Sequence, residues 1–193
     1  MLAVLVLALA SFAQDRPSDS LTRGTWEFAP LVGGGSGLGK SSGTQFFYAG
    51  GRVGRVLTSE HLPGLLRGNF EWAADALPIY LFFTSSNGTV YGGSFKPVIW
   101  QWNFTSGHKF APYVAAAGGI VFTPSNIPPG NTSQVNFTPQ FVMGTRVFTR
   151  NHHAFFVEGS LAHLSSASLG PQNPGYNISL LFTVGYSWFK GGR

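Results

Sequence analysis

From Ile178 to Trp188 every second residue is apolar. Ile178, Leu180, Phe182, Val184, Tyr186 and Trp188 share one parity, and Ser179, Thr183 and Ser187 hold the other. Successive side chains of an extended chain point to opposite faces, so this spacing specifies a strand that is greasy on one side and polar on the other. The pattern recurs upstream. Phe137, Phe141, Met143 and Val147 stand against Asn136, Thr138, Gln140 and Arg146, and Phe155, Val157 and Leu161 against Glu158, Ser160 and Ala162.

Extending the reading from Thr25 onward predicts eight strands, roughly 25–32, 45–57, 68–82, 90–103, 109–122, 134–148, 153–166 and 176–189. All but the first reach the roughly 9–11 residues that cross a bilayer at a tilt. Eight is also the strand number of the smallest outer-membrane barrels. The second run is the least regular, because Arg52 and Arg55 fall on opposite parities unless a glycine-assisted bulge intervenes.

Alternation fits two orientations. In a soluble eight-stranded barrel or sandwich the apolar face is the core, whereas in a membrane barrel it is the outer wall. Composition separates them. Only 10% of the 193 residues are charged, while aromatics make up 15% and glycines number 26. A barrel showing its polar face to water needs more Lys and Glu than this. The fold class predicted is therefore all-β, an eight-stranded antiparallel transmembrane β-barrel of outer-membrane type.

The domain organisation follows. Residues 1–13, with the apolar run Leu2–Phe12 and small residues before Gln14, read as a secretory signal peptide. That run is too short to span a bilayer as a helix. Residues 14–24 have no periodicity and read as a mobile lead-in, and 25–193 form the barrel. Thr105–His108 and Thr149–His152 predict tight turns on one rim. Gly33–Gly43, Thr123–Ser133 and Ser168–Gly175 predict longer loops on the other, and only Ser59–Arg67 is long where a short turn is expected. Trp100, Trp102, Tyr186 and Trp188 fall where an aromatic girdle belongs. The net charge of +5 is not gathered into a basic run, which argues against nucleic acid and for anionic lipid headgroups. No cysteine is present.

Candidate chemistry lies at the end of the seventh strand. His163 and Ser165 are two residues apart and project from the same face as Phe155, Val157 and Leu161. A base and a nucleophile on a lipid-facing wall are costly unless they are satisfied or functional. An interfacial histidine bonded to headgroups is the plainer alternative. His61, His108 and the pair His152-His153 sit in connections or turns and read as solvated residues. Glu158, on the opposite face, reads as an interior charge partner of Arg146.

The sequence His163-Leu164-Ser165-Ser166-Ala167, followed by Asn173-Pro174-Gly175-Tyr176-Asn177, resembles the C-terminal signature of the lipid A 3-O-deacylase (PagL-type) family. The resemblance implies an eight-stranded outer-membrane barrel that removes an ester-linked acyl chain from lipopolysaccharide. It assigns Ser165 as nucleophile, His163 as general base and Asn173 as a holder of the oxyanion. The third member of the catalytic set, a glutamate in the family, is Asn177 here. The parity of Asn177 matches Ser179 and Thr183, so a bulge near Gly175 is needed to bring it to the face of His163. No cofactor or metal is called for. The partners implied are lipid A or lipopolysaccharide as substrate and the surrounding membrane lipids, with a homodimer left open. The competing reading is a non-enzymatic barrel that serves envelope integrity or surface contact.

Overall fold

The computed structural model describes residues 16–85, 88–149 and 152–192, so the expected signal peptide lies outside the described residues. The strands are β1 (Trp26–Gly37), β2 (Thr44–Val56), β3 (Gly68–Thr84), β4 (Gly88–Phe104), β5 (Phe110–Ile127), β6 (Ser133–Phe137), β7 (Gln140–Phe148), β8 (His153–Leu164) and β9 (Tyr176–Lys190). They form one antiparallel sheet, and β1 pairs with β9 to close it. β6 and β7 are one stave of an eight-stranded barrel, since both pair with β5. The break at Thr138-Pro139 has a local cause: Pro139 has no N–H for the ladder.

The alternation resolves into outside and inside as the low charge implies. Phe141, Phe155 and Phe182 are each more than half exposed on the outer wall, whereas Glu27, Arg52, Glu71, Asp75, Lys96, Arg146 and Glu158 are buried within. An outward greasy wall around a charged lumen rules out the soluble-barrel orientation. Arg52 and Arg55 do face opposite sides. Arg52 turns inward, and Arg55 lies outside with its guanidinium 5.0 Å from the Trp26 ring. No bulge intervenes between them: the register of β2 against β3 is regular from Gly51 to Val56, and the shift between Ala49 and Gly51 lies ahead of both arginines.

The lumen is filled in tiers. Nearest the rim that carries the chain termini, Arg146 is paired with Glu27 at 2.6 Å and with Glu71 at 3.3 Å, and Ser187 donates a hydrogen bond to Glu27. Next, Arg52 joins Asp75 (2.7 Å) and Glu158 (2.5 Å), and the Tyr113 hydroxyl donates to Glu158 at 2.9 Å. Glu158 is thus an interior charge partner, but of Arg52 across the barrel. Arg146, its expected partner, is taken by Glu27 and Glu71. The third tier is aromatic. Phe46 meets Tyr80, Phe82 and Tyr176 edge to face, beside buried Leu164 and Leu181.

Two expectations about connections are corrected. Gly33–Gly37 belongs to β1, so the first five residues of the run expected to be a loop are strand. The glycine at 33 makes room, because a Cβ there would overlap the Tyr48 ring, whose hydroxyl is 2.8 Å from Thr183 Oγ1. Likewise β5 runs on to Ile127, which shortens the loop expected from Thr123.

The described part of the lead-in, residues 16–24, is packed. Leu21 is buried among Val56, Ala111, Phe148, Ala154 and Phe189, and the Asn69 side-chain amide donates to its carbonyl at 2.6 Å. The short helix Pro17–Ser20 sets Ser20 Oγ 3.0 Å from His152 Nδ1. This segment stoppers the terminus rim.

Candidate active site at the far rim

β8 carries its last outward side chains to the rim opposite the termini. Along it Ala154, Phe156, Glu158, Ser160, Ala162 and Leu164 are buried, and Phe155, Val157 and Leu161 are exposed. His163 keeps the outward parity and Ser165, just beyond the strand, shares it. Two residues of extended chain separate their Cα atoms by roughly 7 Å. Both backbones are tied to the broken stave. His163 N–H donates to the Pro139 carbonyl at 3.0 Å, and Ser165 exchanges two hydrogen bonds with Phe137, at 3.1 and 2.7 Å.

After Ser165 the chain reverses abruptly. Leu169 N–H donates to the Ser166 carbonyl at 3.0 Å, closing a turn whose inner residues, Ala167 and Ser168, hold φ of +48° and +66°. A left-handed conformation costs a non-glycine residue on the order of 1–2 kcal/mol. Such strain is retained where the surroundings enforce it, and it gathers at functional sites. One enforcing contact is Asn173, whose Oδ1 accepts from both the backbone N–H and the hydroxyl of Ser166, each at 3.0 Å. With its oxygen spent on Ser166, the Asn173 amide offers its N–H groups elsewhere.

Gly175 is required where it stands. Its φ is +56°, and a Cβ there would come within 2.7 Å of the Leu164 carbonyl oxygen and 3.3 Å of Ser165 Cβ. The bulge that the parity of Asn177 demands follows at once. Ala162 pairs with Ser179 but Leu164 pairs with Tyr176, so Asn177 and Ile178 together oppose His163. Tyr176 is thereby turned into the aromatic tier while Ile178 faces out. The Asn177 backbone lies in this bulge, and its side chain is outside the described residues.

Beside His163 the outer wall is grooved. A shallow cavity of about 420 Å³ is lined by Ala116, Ala117, Phe141, Leu161 and Ile178 together with His163. The two alanines leave the depression and the larger side chains wall it. Among the described residues the Ser165 hydroxyl makes no hydrogen bond. The structure therefore brings His163 and Ser165 to one face and brings Asn173 to Ser166, without a hydrogen bond between the Ser165 hydroxyl and His163. Catalytic hydrogen bonds commonly tighten only once substrate is bound. No three His, Cys, Asp or Glu side chains among the described residues converge on a metal-sized site.

The site also contains residues to which the sequence assigns no role. Ser166 stands unassigned inside the signature, and Pro139 carries a readable signal, a proline inside a strand. Ala116 and Ala117 give none, because a groove on the outside of a barrel depends on which staves adjoin.

The model of the lipid A 3-O-deacylase (PagL) family matches residues 64–187, a span that holds every site residue above. The chain belongs to this family. Its fold is similar to the crystal structure of the outer membrane enzyme PagL, with a TM-score of 0.52 at 17% identity, covering 84% of this chain and 98% of that one. It is also similar to the N-terminal β-barrel domain of Pseudomonas aeruginosa OprF, with a TM-score of 0.54 at 14% identity, covering 88% and 99%. No curated protein sequence matches the chain. Family membership and the outward apolar wall together place the protein in the bacterial outer membrane, where the PagL family acts on lipid A.

Proposed function

We propose that this protein is an esterase that removes an ester-linked acyl chain from lipid A, at the 3-O position by family likeness. The observation that carries the reading is that His163 and Ser165 share the outward parity at the end of β8, with His163 lining an apolar groove. A scissile ester lies at the boundary between headgroup and acyl chains. Lateral diffusion thus delivers it to the wall without entry into the barrel.

In the proposed reaction the Ser165 hydroxyl attacks the ester carbonyl while His163 takes its proton. The Asn173 amide donates to the oxyanion of the tetrahedral intermediate. Collapse expels the sugar hydroxyl, protonated by His163, and leaves an acyl-serine. Water, deprotonated by His163, then releases the fatty acid and restores the serine. Asn177 orients the imidazole in place of the family's glutamate. Such an amide can fix the ring but cannot offset its charge, so the predicted catalyst is slower than one with a carboxylate there.

Mass spectrometry of lipid A from cells that produce the protein is the direct test. Loss of one acyl group with the native chain, and its retention with Ser165→Ala, is the expected result. Unchanged lipid A alongside a folded native barrel would return the protein to the structural, non-enzymatic reading.

A further inference from the structure

The long connection on the terminus rim, Ser59–Arg67, is a built feature that the proposed chemistry leaves unused. His61 and Gly68 exchange two backbone hydrogen bonds, at 2.7 and 3.0 Å, and Phe70 N–H donates to Thr58 Oγ1 at 3.0 Å. Leu62 holds φ of +65° and Gly64 of +62°, leading into a short helical turn, Gly64–Leu66. A leucine adopts a left-handed conformation only against steric resistance. What this pinned, strained loop presents is apolar: Leu62, Leu65 and Leu66 are 58, 85 and 59% exposed.

Behind Leu62 and Leu66 lies a crevice of about 500 Å³, closed on the barrel side by Phe70, Trp102 and Phe104 and at one end by His61. Phe70 and Trp102 pack edge to face with centroids 4.8 Å apart. The crevice opens directly onto the lipid-facing wall. Arg67 follows Leu66, one of the lining residues, directly in the chain. Arg67 is about half exposed and only loosely matched by Glu60 at 3.8 Å. Its carbonyl accepts the Thr105 N–H at 2.9 Å, which joins the loop to the turn that carries His108 and Lys109.

We propose that this crevice binds one anionic glycerophospholipid of the leaflet at the terminus rim. An acyl chain lies between the leucines and Trp102, and the phosphate meets Arg67. Two features favour this occupant: the crevice is continuous with the exposed apolar outer wall through Phe70, and the half-exposed Arg67 beside Leu66 matches a phosphate. The site is on the rim opposite His163 and stands apart from the esterase reading.

The test is native mass spectrometry of the full chain released from nanodiscs that contain equal phosphatidylglycerol and phosphatidylcholine of distinct mass. The native protein is expected to retain one phosphatidylglycerol. The Leu62→Ser/Leu66→Ser variant is expected to retain about fivefold less or lower still, because two leucine side chains no longer cover the acyl chain. Arg67→Gln is expected to lose the preference for the anionic lipid while keeping the fold, checked by circular dichroism. Leu169→Ser, which removes an equally exposed leucine at the far rim, should change nothing. Retention of neither lipid, equal retention of both by the native chain, or undiminished retention by the leucine variant would each overturn the proposal.

Discussion

Asn173 grips Ser166 twice through a single oxygen, accepting its N–H and its hydroxyl at 3.0 Å each. The residue that follows the candidate nucleophile is thereby fixed by the same side chain whose amide would meet the oxyanion. Asn173→Asp separates the two jobs, since a carboxylate still accepts from Ser166 but donates nothing. A fall in kcat of about 10²–10³ with an unchanged fold is expected, as for loss of one oxyanion donor. Deacylation kinetics in detergent check it, and a variant as fast as the native protein would remove Asn173 from the chemistry.

The bulge that sets Asn177 opposite His163 suggests a gain-of-function change. If the position orients imidazole, Asn177→Glu supplies the charge that stabilises imidazolium and should raise kcat at least about tenfold, a fraction of the cost of the reverse change in serine proteases. A rate that stays level in the same assay would show that position 177 does not touch the base.

Arg146 is fully buried between Glu27 and Glu71. Arg146→Met leaves two carboxylates in the lumen without their cation, and a loss of about 3–5 kcal/mol is expected from breaking a buried pair on one side only. Adding Glu27→Gln and Glu71→Gln should recover part of that loss. Urea unfolding followed by the heat-dependent gel shift of the barrel measures both.

Two glycines separate packing from propensity. Gly33→Ala drives a methyl into the Tyr48 ring and the Phe182 carbonyl oxygen and should cost about 1–3 kcal/mol. Gly118→Ala, where a Cβ meets nothing within 4 Å, should be near neutral. Equal stabilities in urea would mean that both the Tyr48 ring and the β9 backbone at Phe182 give way.

The barrel itself was legible because alternation is a local property. Val157 against Glu158, or Phe182 against Thr183, declares its face wherever the strand sits. Partners across the lumen were not legible, since they depend on how the closed sheet brings staves opposite each other. Glu158 was readable as interior, but not as the partner of Arg52, 106 positions away. The glycines of β1 misled for a related reason: in sequence Gly33–Gly37 looks like a loop, and the neighbouring Tyr48 ring and Phe182 carbonyl explain the missing side chain at 33. At the candidate site, His163 and Ser165 could be found from spacing and signature. The bulge could be stated only as a condition, because the shift in pairing from Ser179 to Tyr176 is decided between strands.

The stacked ion pairs and the Leu21 stopper have a physiological consequence. A bore crossed by two ion-pair tiers and an aromatic tier, and stoppered at one rim, opposes an aqueous leak, so a cell holding many copies would not admit bulky antibiotics or fluorescent tracers any faster. The outer barrier would keep its sieving properties while chemistry proceeds on the barrel's flank.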